Sequence, residues 1–326
     1  MTDSFVVHLG EKVLRGHSVT YDEALTLIGI PQHDIMLAAA YANKIREHFA
    51  GNRIDMCGVI NARSGLCTED CKFCAQSVFH NTNISSYDLL DASQLLEKAR
   101  DAEALGAKRV SIVTSGKGME SNPTFSSIIE AIQVIQKKTR LSVCANLGTI
   151  TLQQAQALAS VGVKRYAHNI ETSERFYPSI CSTHPFSERV ATLRAAKAAG
   201  MELCTGGIIG MGESWQDRIS MAFTLKEHDV RSIPLNILNP IRGTALEKAC
   251  PPNPLEIILT FALFRFILPD KVIRPAGGRE INLRDMQGAA LLAGANGLIV
   301  GNYLTFTGRD AAMDFVMAKD AGMTPE

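Results

Sequence analysis

The sequence predicts an α/β fold: a (β/α)8 TIM-type barrel with an N-terminal helical extension. Three observations predict it. Strand-like and helix-like segments alternate along the chain, the strand-like segments number eight, and 326 residues suffice for one large barrel. Residues 1–50 read as two helices that precede the barrel, with Thr20 and Glu23 as a capping box and HDIMLAAAYANKIREHF as a helical run. Residues 51–326 read as the barrel with a C-terminal cap. Apolar or β-branched runs place strands at 55–62, 109–115, 141–146, 164–171, 201–207, 231–238, 271–276 and 296–301. Helical patterns fall between them at 92–105, 123–138, 151–160, 187–199, 214–228, 254–268 and 282–293, the third opened by Thr151 and Gln154 as a further capping box. Such alternation implies a parallel sheet with right-handed crossovers, and a count of eight favours closure over an open doubly wound sheet.

The balance of 33 basic against 33 acidic residues gives no long-range field of the kind that gathers nucleic acid or an anionic membrane. A small neutral partner is expected instead. The start, MTDSFVVHLGEKVLRGH, has no basic segment followed by an apolar run, and no apolar stretch reaches the roughly 18 residues that span a bilayer. The expected location is cytoplasmic. Eight cysteines in a cytosolic chain point to metal ligation or catalysis rather than to disulfides. In such barrels chemistry sits at the C-terminal ends of strands. Cys57, Ser111, Cys144, Asn169, Glu171, Cys204, Asn236 and Arg274 all fall in segments that otherwise read as core. Each alone is an ordinary satisfied polar residue; contributed together by seven strands, they point to a site.

Cys67, Cys71 and Cys74 in CTEDCKFC are spaced C-x3-C-x2-C. Three thiolates so spaced converge on one compact centre from a single loop and leave a fourth metal position open. Structural zinc is the rival, and it would want a fourth ligand such as His80. Directly after the first strand of a parallel barrel, the motif resembles the radical S-adenosylmethionine (SAM) superfamily. That resemblance implies a [4Fe-4S] cluster on these thiolates, SAM on the open iron, radical generation at the cofactor rather than by a catalytic side chain, and Phe73 packed near the adenine. In ELCTGGIIGMGE, Gly206, Gly207 and Gly210 allow close backbone approach to a ligand, and beside the cysteine motif they look like a SAM-binding segment.

The segments CTEDCKFCAQS, KRYAHNIETS, ELCTGGIIGMGE, PLNILNPIRGTAL and VIRPAGGREIN, in this order, resemble the biotin synthase family over roughly residues 20–320. The resemblance implies sulfur insertion into dethiobiotin to form biotin, with sulfur from an auxiliary iron–sulfur cluster, a flavodoxin- or ferredoxin-type reductant, and a homodimer. It places Asn169 and Asn236 at the substrate or neighbouring SAM groups, and His168 and Arg189 at SAM. Glu171 falls at the SAM ribose, where the family commonly has aspartate. For the auxiliary cluster the family pattern is three cysteines and an arginine. Cys144, Cys204 and Arg274 match it, but Ser111, a hard donor poorly suited to iron, stands in place of the remaining cysteine. Cys57 stands where the family has serine, and it shares one face of the first strand with Asn61, which is expected to point inward.

The exchange keeps three thiolates, Cys57, Cys144 and Cys204, so the expectation is a four-iron auxiliary cluster rather than [2Fe-2S]. Arg274 is then a ligand or a hydrogen-bonding neighbour of its sulfides. The alternative is that Cys57 is a small buried residue beside a degenerate site. Cys181 and Cys250 fall in loop-like segments and match no ligand position, so packing or chance is the default for both. Two other functions stay open: a radical SAM enzyme of hydrogenase-maturase or methylornithine-synthase type without sulfur insertion, and a non-enzymatic iron–sulfur or zinc protein.

Overall fold

Nine short strand segments run parallel around one axis in the computed structural model, which describes residues 2–119 and 122–325. They are β1 (Arg53–Arg63), β2 (Arg109–Thr114), β3 (Ser142–Asn146), β4 (Arg165–Ala167), β5 (Glu202–Cys204), β6 (Gly207–Ile209), β7 (Ser232–Ile237), β8 (Val272–Pro275) and β9 (Gly297–Ile299). Every residue of β2 after Arg109 is buried, as expected for a strand covered by helices outside and packed side chains inside. The ladders join β1 to β2, β2 to β3, β3 to β4, β4 to β5, β5 to β7 and β7 to β8, and β9 returns to β1. β6 also pairs with β7 and continues β5 after a two-residue break, so the predicted count of eight holds.

The junction between β8 and β9 is closed by Asn296. Its backbone N–H donates to Ile273 O at 2.9 Å, and its side-chain Oδ1 accepts from Ile273 N–H at 2.9 Å. A last short strand, β10 (Thr324–Pro325), lies beside the start of β1.

Four details depart from the sequence reading. The extension has three helices, Thr2–Leu14, Tyr21–Ile28 and Ile35–Ala50, where two were expected. The last of them packs on helix Pro254–Ile267, in which every residue from Ile257 onward is buried. The fourth strand stops at Ala167 rather than 171, because the chain turns to put Glu171 at φ +67°, a left-handed conformation. The fifth breaks between Cys204 and Gly207, where a Cβ on Gly206 would lie 1.9 Å from Pro234 O. The expected helix 282–293 divides into Arg279–Leu283, a 3-10 turn and Gln287–Leu292. Both capping boxes, Thr20 with Glu23 and Thr151 with Gln154, form as expected. No helix among the described residues is long and apolar enough to cross a membrane.

Candidate active site

Side chains of a barrel strand alternate between outside and inside, so residues two apart on each strand build successive interior layers. The deepest layer is charged. Asp55 on β1 meets Arg274 Nη2 at 3.0 Å, Arg109 Nε at 3.5 Å and Arg165 Nη1 at 3.6 Å, and Arg165 Nη2 also reaches Glu202 at 2.7 Å. Two residues further along the same strands come Cys57, Ser111 and Cys204, and Cys144 joins them from β3, one pleat from Asn146. Cys57, Ser111, Cys204 and Arg274 wall a cavity of about 290 Å³, with Val59, Val113, Asn146, Asn169 and Asn236 above them. The segment Tyr303 to Phe306 covers one side, anchored by Asn61, whose Nδ2 donates to Leu304 O at 2.9 Å. Asn61 does turn to this interior face.

The three barrel cysteines are free thiols, Cys57 and Cys144 buried and Cys204 partly buried. Burial pushes Cys57 up to about 11 and Cys144 up to about 12, so without metal both carry protons. Around them Ser111 Oγ and Arg274 Nε are buried with no hydrogen-bond partner, and Arg109 Nε and Arg165 Nη1 have only the longer ion-pair contact with Asp55. Orphaned donors at such depth are rare, and they suit a negatively charged group with sulfide acceptors. The residues therefore fit an auxiliary iron–sulfur cluster. Val59 of β1 pairs with Ser111 of β2, so Cys57 and Ser111 are diagonal neighbours on adjacent strands.

A second cavity adjoins the first and shares Phe73, Cys74, Asn169 and Asn236 with it. Its outer wall is the cysteine loop with Cys67, Cys71 and Cys74, and its inner wall carries His168, Glu171, His184 and Arg189. The loop is shaped by its own backbone: Cys67 N–H donates to Gln76 O and Val78 N–H to Cys67 O. His80, the candidate zinc ligand, instead points Nδ1 at Cys74 O, 2.8 Å away. Among the described residues, no set of three ligand atoms that includes Cys67 or Cys74 lies within 4.8 Å of one another, so the loop is not drawn onto a single ion. It is open enough for a cluster.

Arg189 is buried rather than an exposed helix charge. Its Nη1 donates to Asn169 O at 2.8 Å and lies 3.5 Å from Glu171 Oε1, and its Nε donates to Tyr177 Oη at 2.6 Å. Tyr177 Oη in turn meets His184 Nε2 at 2.7 Å, and His184 Nδ1 meets Glu69 Oε2 inside the cysteine loop. This relay ties the loop to the arginine. Burial raises the Glu171 carboxyl, opposed by Arg189, and burial also holds His168 neutral with its Nε2 unpartnered. Asn169 accepts from Gly206 N–H at 3.1 Å, while Asn236 accepts from Gly277 N–H at 2.9 Å and donates to Gly207 O at 3.2 Å. Each asparagine is thus fixed by backbone, with one amide N–H left for the cavities.

Two expectations are corrected here. Gly206 and Gly207 line neither cavity; their missing side chains make room for Pro234 O, Glu171 O and Met221, and they act on the site by holding Asn169, Asn236 and Glu171 in place. Cys181, expected merely to pack, lies with its Sγ 3.7 Å from Cys71 Sγ and 3.4 Å from His184 Nδ1. The Cys-x2-His spacing of CSTH was the available signal. Cys250 is exposed.

Comparison with known proteins agrees with this geometry. Residues 63–225 match the radical SAM superfamily, and residues 234–324 match the biotin and thiamin synthesis associated domain. The biotin synthase of Clostridium acetobutylicum is 50% identical over 97% of this chain and 96% of its own length. That of Carboxydothermus hydrogenoformans is 49% identical over 98% of both. In fold, a solved methylornithine synthase superposes with a TM-score of 0.84 at 20% identity, covering 98% of this chain and 97% of its own. The FeFe-hydrogenase maturase HydG from Carboxydothermus hydrogenoformans gives 0.83 at 18% identity, over 98% of this chain and 79% of its own. Near-complete coverage at half identity settles membership: the chain belongs to the biotin synthase family.

Proposed function

We propose that this chain converts dethiobiotin to biotin by radical sulfur insertion, with a SAM-binding [4Fe-4S] cluster on Cys67, Cys71 and Cys74 and a four-iron auxiliary cluster on Cys57, Cys144 and Cys204. The observation that carries the reading is the pair of adjoining cavities, one walled by the cysteine loop and the other by Cys57, Cys204 and Arg274, with Cys144 buried on the neighbouring strand. When bound, the [4Fe-4S] cluster and SAM supply reductive cleavage of a carbon–sulfur bond and so a radical able to take hydrogen from an unactivated carbon. The chain's part is positional. Glu171 offers a carboxylate suited to ribose hydroxyls, and Arg189, held by Tyr177, offers a cation to a carboxylate beside it. Phe73, Val113, Ile208 and Leu304 keep the shared boundary apolar and exclude water. The free amide N–H groups of Asn169 and Asn236 are available to a ureido carbonyl. Arg274 supplies positive charge and an unpartnered Nε to cluster sulfides.

The methylornithine-synthase and hydrogenase-maturase types share the fold alone, whereas the buried thiols with their orphaned cationic donors favour sulfur insertion. The reading includes a cytoplasmic homodimer served by a flavodoxin- or ferredoxin-type reductant. Anaerobic turnover tests it. Cys67→Ala abolishes formation of 5′-deoxyadenosine, whereas Cys57→Ala keeps SAM cleavage and loses biotin. Biotin formation at the normal rate by Cys57→Ala overturns the ligand assignment.

A further inference from the structure

Cys181 and His184 are not needed by either cluster, yet they are buried and converge with Cys71 so that the three ligand atoms lie within 4.8 Å of one another. The distances have the dimensions of a metal site. With metal–sulfur bonds of about 2.3 Å and metal–nitrogen bonds of about 2.05 Å, a tetrahedron has a sulfur–sulfur edge near ~3.8 Å and a sulfur–nitrogen edge near ~3.5 Å. The observed edges are 3.7 Å from Cys71 Sγ to Cys181 Sγ and 3.4 Å from Cys181 Sγ to His184 Nδ1.

The arrangement is set by the polypeptide. Lys72 N–H donates to Ile180 O at 2.9 Å, and the Asp70 carboxylate accepts from Ser182 N–H at 2.8 Å and Thr183 N–H at 3.2 Å, which fixes the CSTH turn against the cysteine loop. His184 Nε2 is engaged by Tyr177 Oη, so Nδ1 is the atom presented to the thiols. Glu69 Oε2 is hydrogen-bonded to that Nδ1 and held by Thr183 Oγ1 at 2.6 Å, so a metal taken up at Nδ1 displaces this contact and leaves the carboxylate beside the site. The second cavity, lined by Glu69, Cys71 and His184, gives an entry path.

We infer that the cluster-free chain holds one divalent cation of the zinc or ferrous type on Cys71, Cys181 and His184, with the fourth position left to water. Two thiolates and an imidazole suit such borderline cations, and binding releases the thiol protons to solvent. The site excludes the proposed SAM cluster because both need Cys71. Ferrous iron bound there already sits on a cluster ligand; zinc bound there blocks it.

The test uses reduced, cluster-free full-length protein titrated anaerobically with Co(II). The wild type takes up one equivalent more than Cys181→Ser or His184→Gln, with the strong visible bands of tetrahedral, thiolate-bound cobalt, and Cys67→Ala keeps that equivalent. Each near-isosteric variant lowers affinity for it by at least about tenfold. Cobalt uptake by both variants equal to wild type overturns the site, and so does its loss in Cys67→Ala, which would put the metal in the C-x3-C-x2-C loop. In a second measurement, one equivalent of Zn(II) added before iron and sulfide slows recovery of cluster absorbance in the wild type but not in Cys181→Ser; equal slowing overturns the exclusion. Neither failure touches the loss of SAM cleavage in Cys67→Ala, so this inference and the proposed function fail separately.

Discussion

Asp55 shows how one residue organises the barrel interior. It is 5% exposed and faces the guanidinium groups of Arg274, Arg109 and Arg165. Burial alone would raise its pKa, but the three cations outweigh burial and hold it at about 2, below its ordinary value of 3.8. A carboxylate depressed by folding contributes stability above its unfolded pKa, and loses it as pH falls toward the folded value. The contribution is about 2 kcal/mol, present above about pH 4 and gone near pH 2. Asp55→Asn leaves three buried cations without their shared partner and should cost about 3–5 kcal/mol near neutral pH. Urea denaturation of the cluster-free chain checks both statements: the variant's midpoint is lower at pH 7, and it falls less than the wild type's between pH 4 and pH 2.5. Parallel pH profiles for the two proteins would sink the assignment of acid sensitivity to Asp55.

At the scale of elements, the weak point of the barrel is the seam between β8 and β9. Asn296 Oδ1 there accepts from Ile273 N–H at 2.9 Å and from Arg265 Nη2 at 2.8 Å. Arg265 is itself fully buried on helix Pro254–Ile267, and it donates to the carbonyls of Gly294, Leu268, Pro269 and Lys271. One side chain thus closes the sheet and a buried cation closes the loops around it. Asn296→Ala strands two buried donors and should cost on the order of 3 kcal/mol, with faster amide exchange at Ile273; Asn296→Asp keeps the acceptor and stays closer to wild type. Unchanged exchange at Ile273 in Asn296→Ala would place the closure elsewhere. Alternation and β-branched runs made the eight strands legible in the sequence, because local periodicity encodes burial. The breaks after Ala167 and Cys204 were not legible, since they come from the left-handed backbone at Glu171 and from contact of Gly206 with Pro234, a residue on another strand.

For the molecule as a whole, the two proposed centres share one barrel, and their cysteines stand out unequally in the sequence. Cys67, Cys71 and Cys74 were legible because a single loop carries their spacing. Cys57, Cys144 and Cys204 became legible only when compared with a family pattern, because three strands bring them together. Cys181 was missed because its partner Cys71 lies 110 residues away, a distance that no local spacing encodes. What the whole chain holds is therefore a question of iron count. Two four-iron clusters give about eight irons per chain after anaerobic reconstitution, and replacing Cys67, Cys71 and Cys74 together by alanine removes about four. Cys57→Ala removes the other four if its thiolate is a ligand, because two remaining thiolates and Arg274 do not hold a cubane. About six irons in the wild type would mean a two-iron auxiliary cluster despite Ser111, and about four would mean that the barrel thiols hold none. Six overturns the four-iron nuclearity and four the ligand set, and Mössbauer spectra distinguish a two-iron cluster from incomplete loading with cubanes, because the irons of the two cluster types differ in isomer shift and quadrupole splitting.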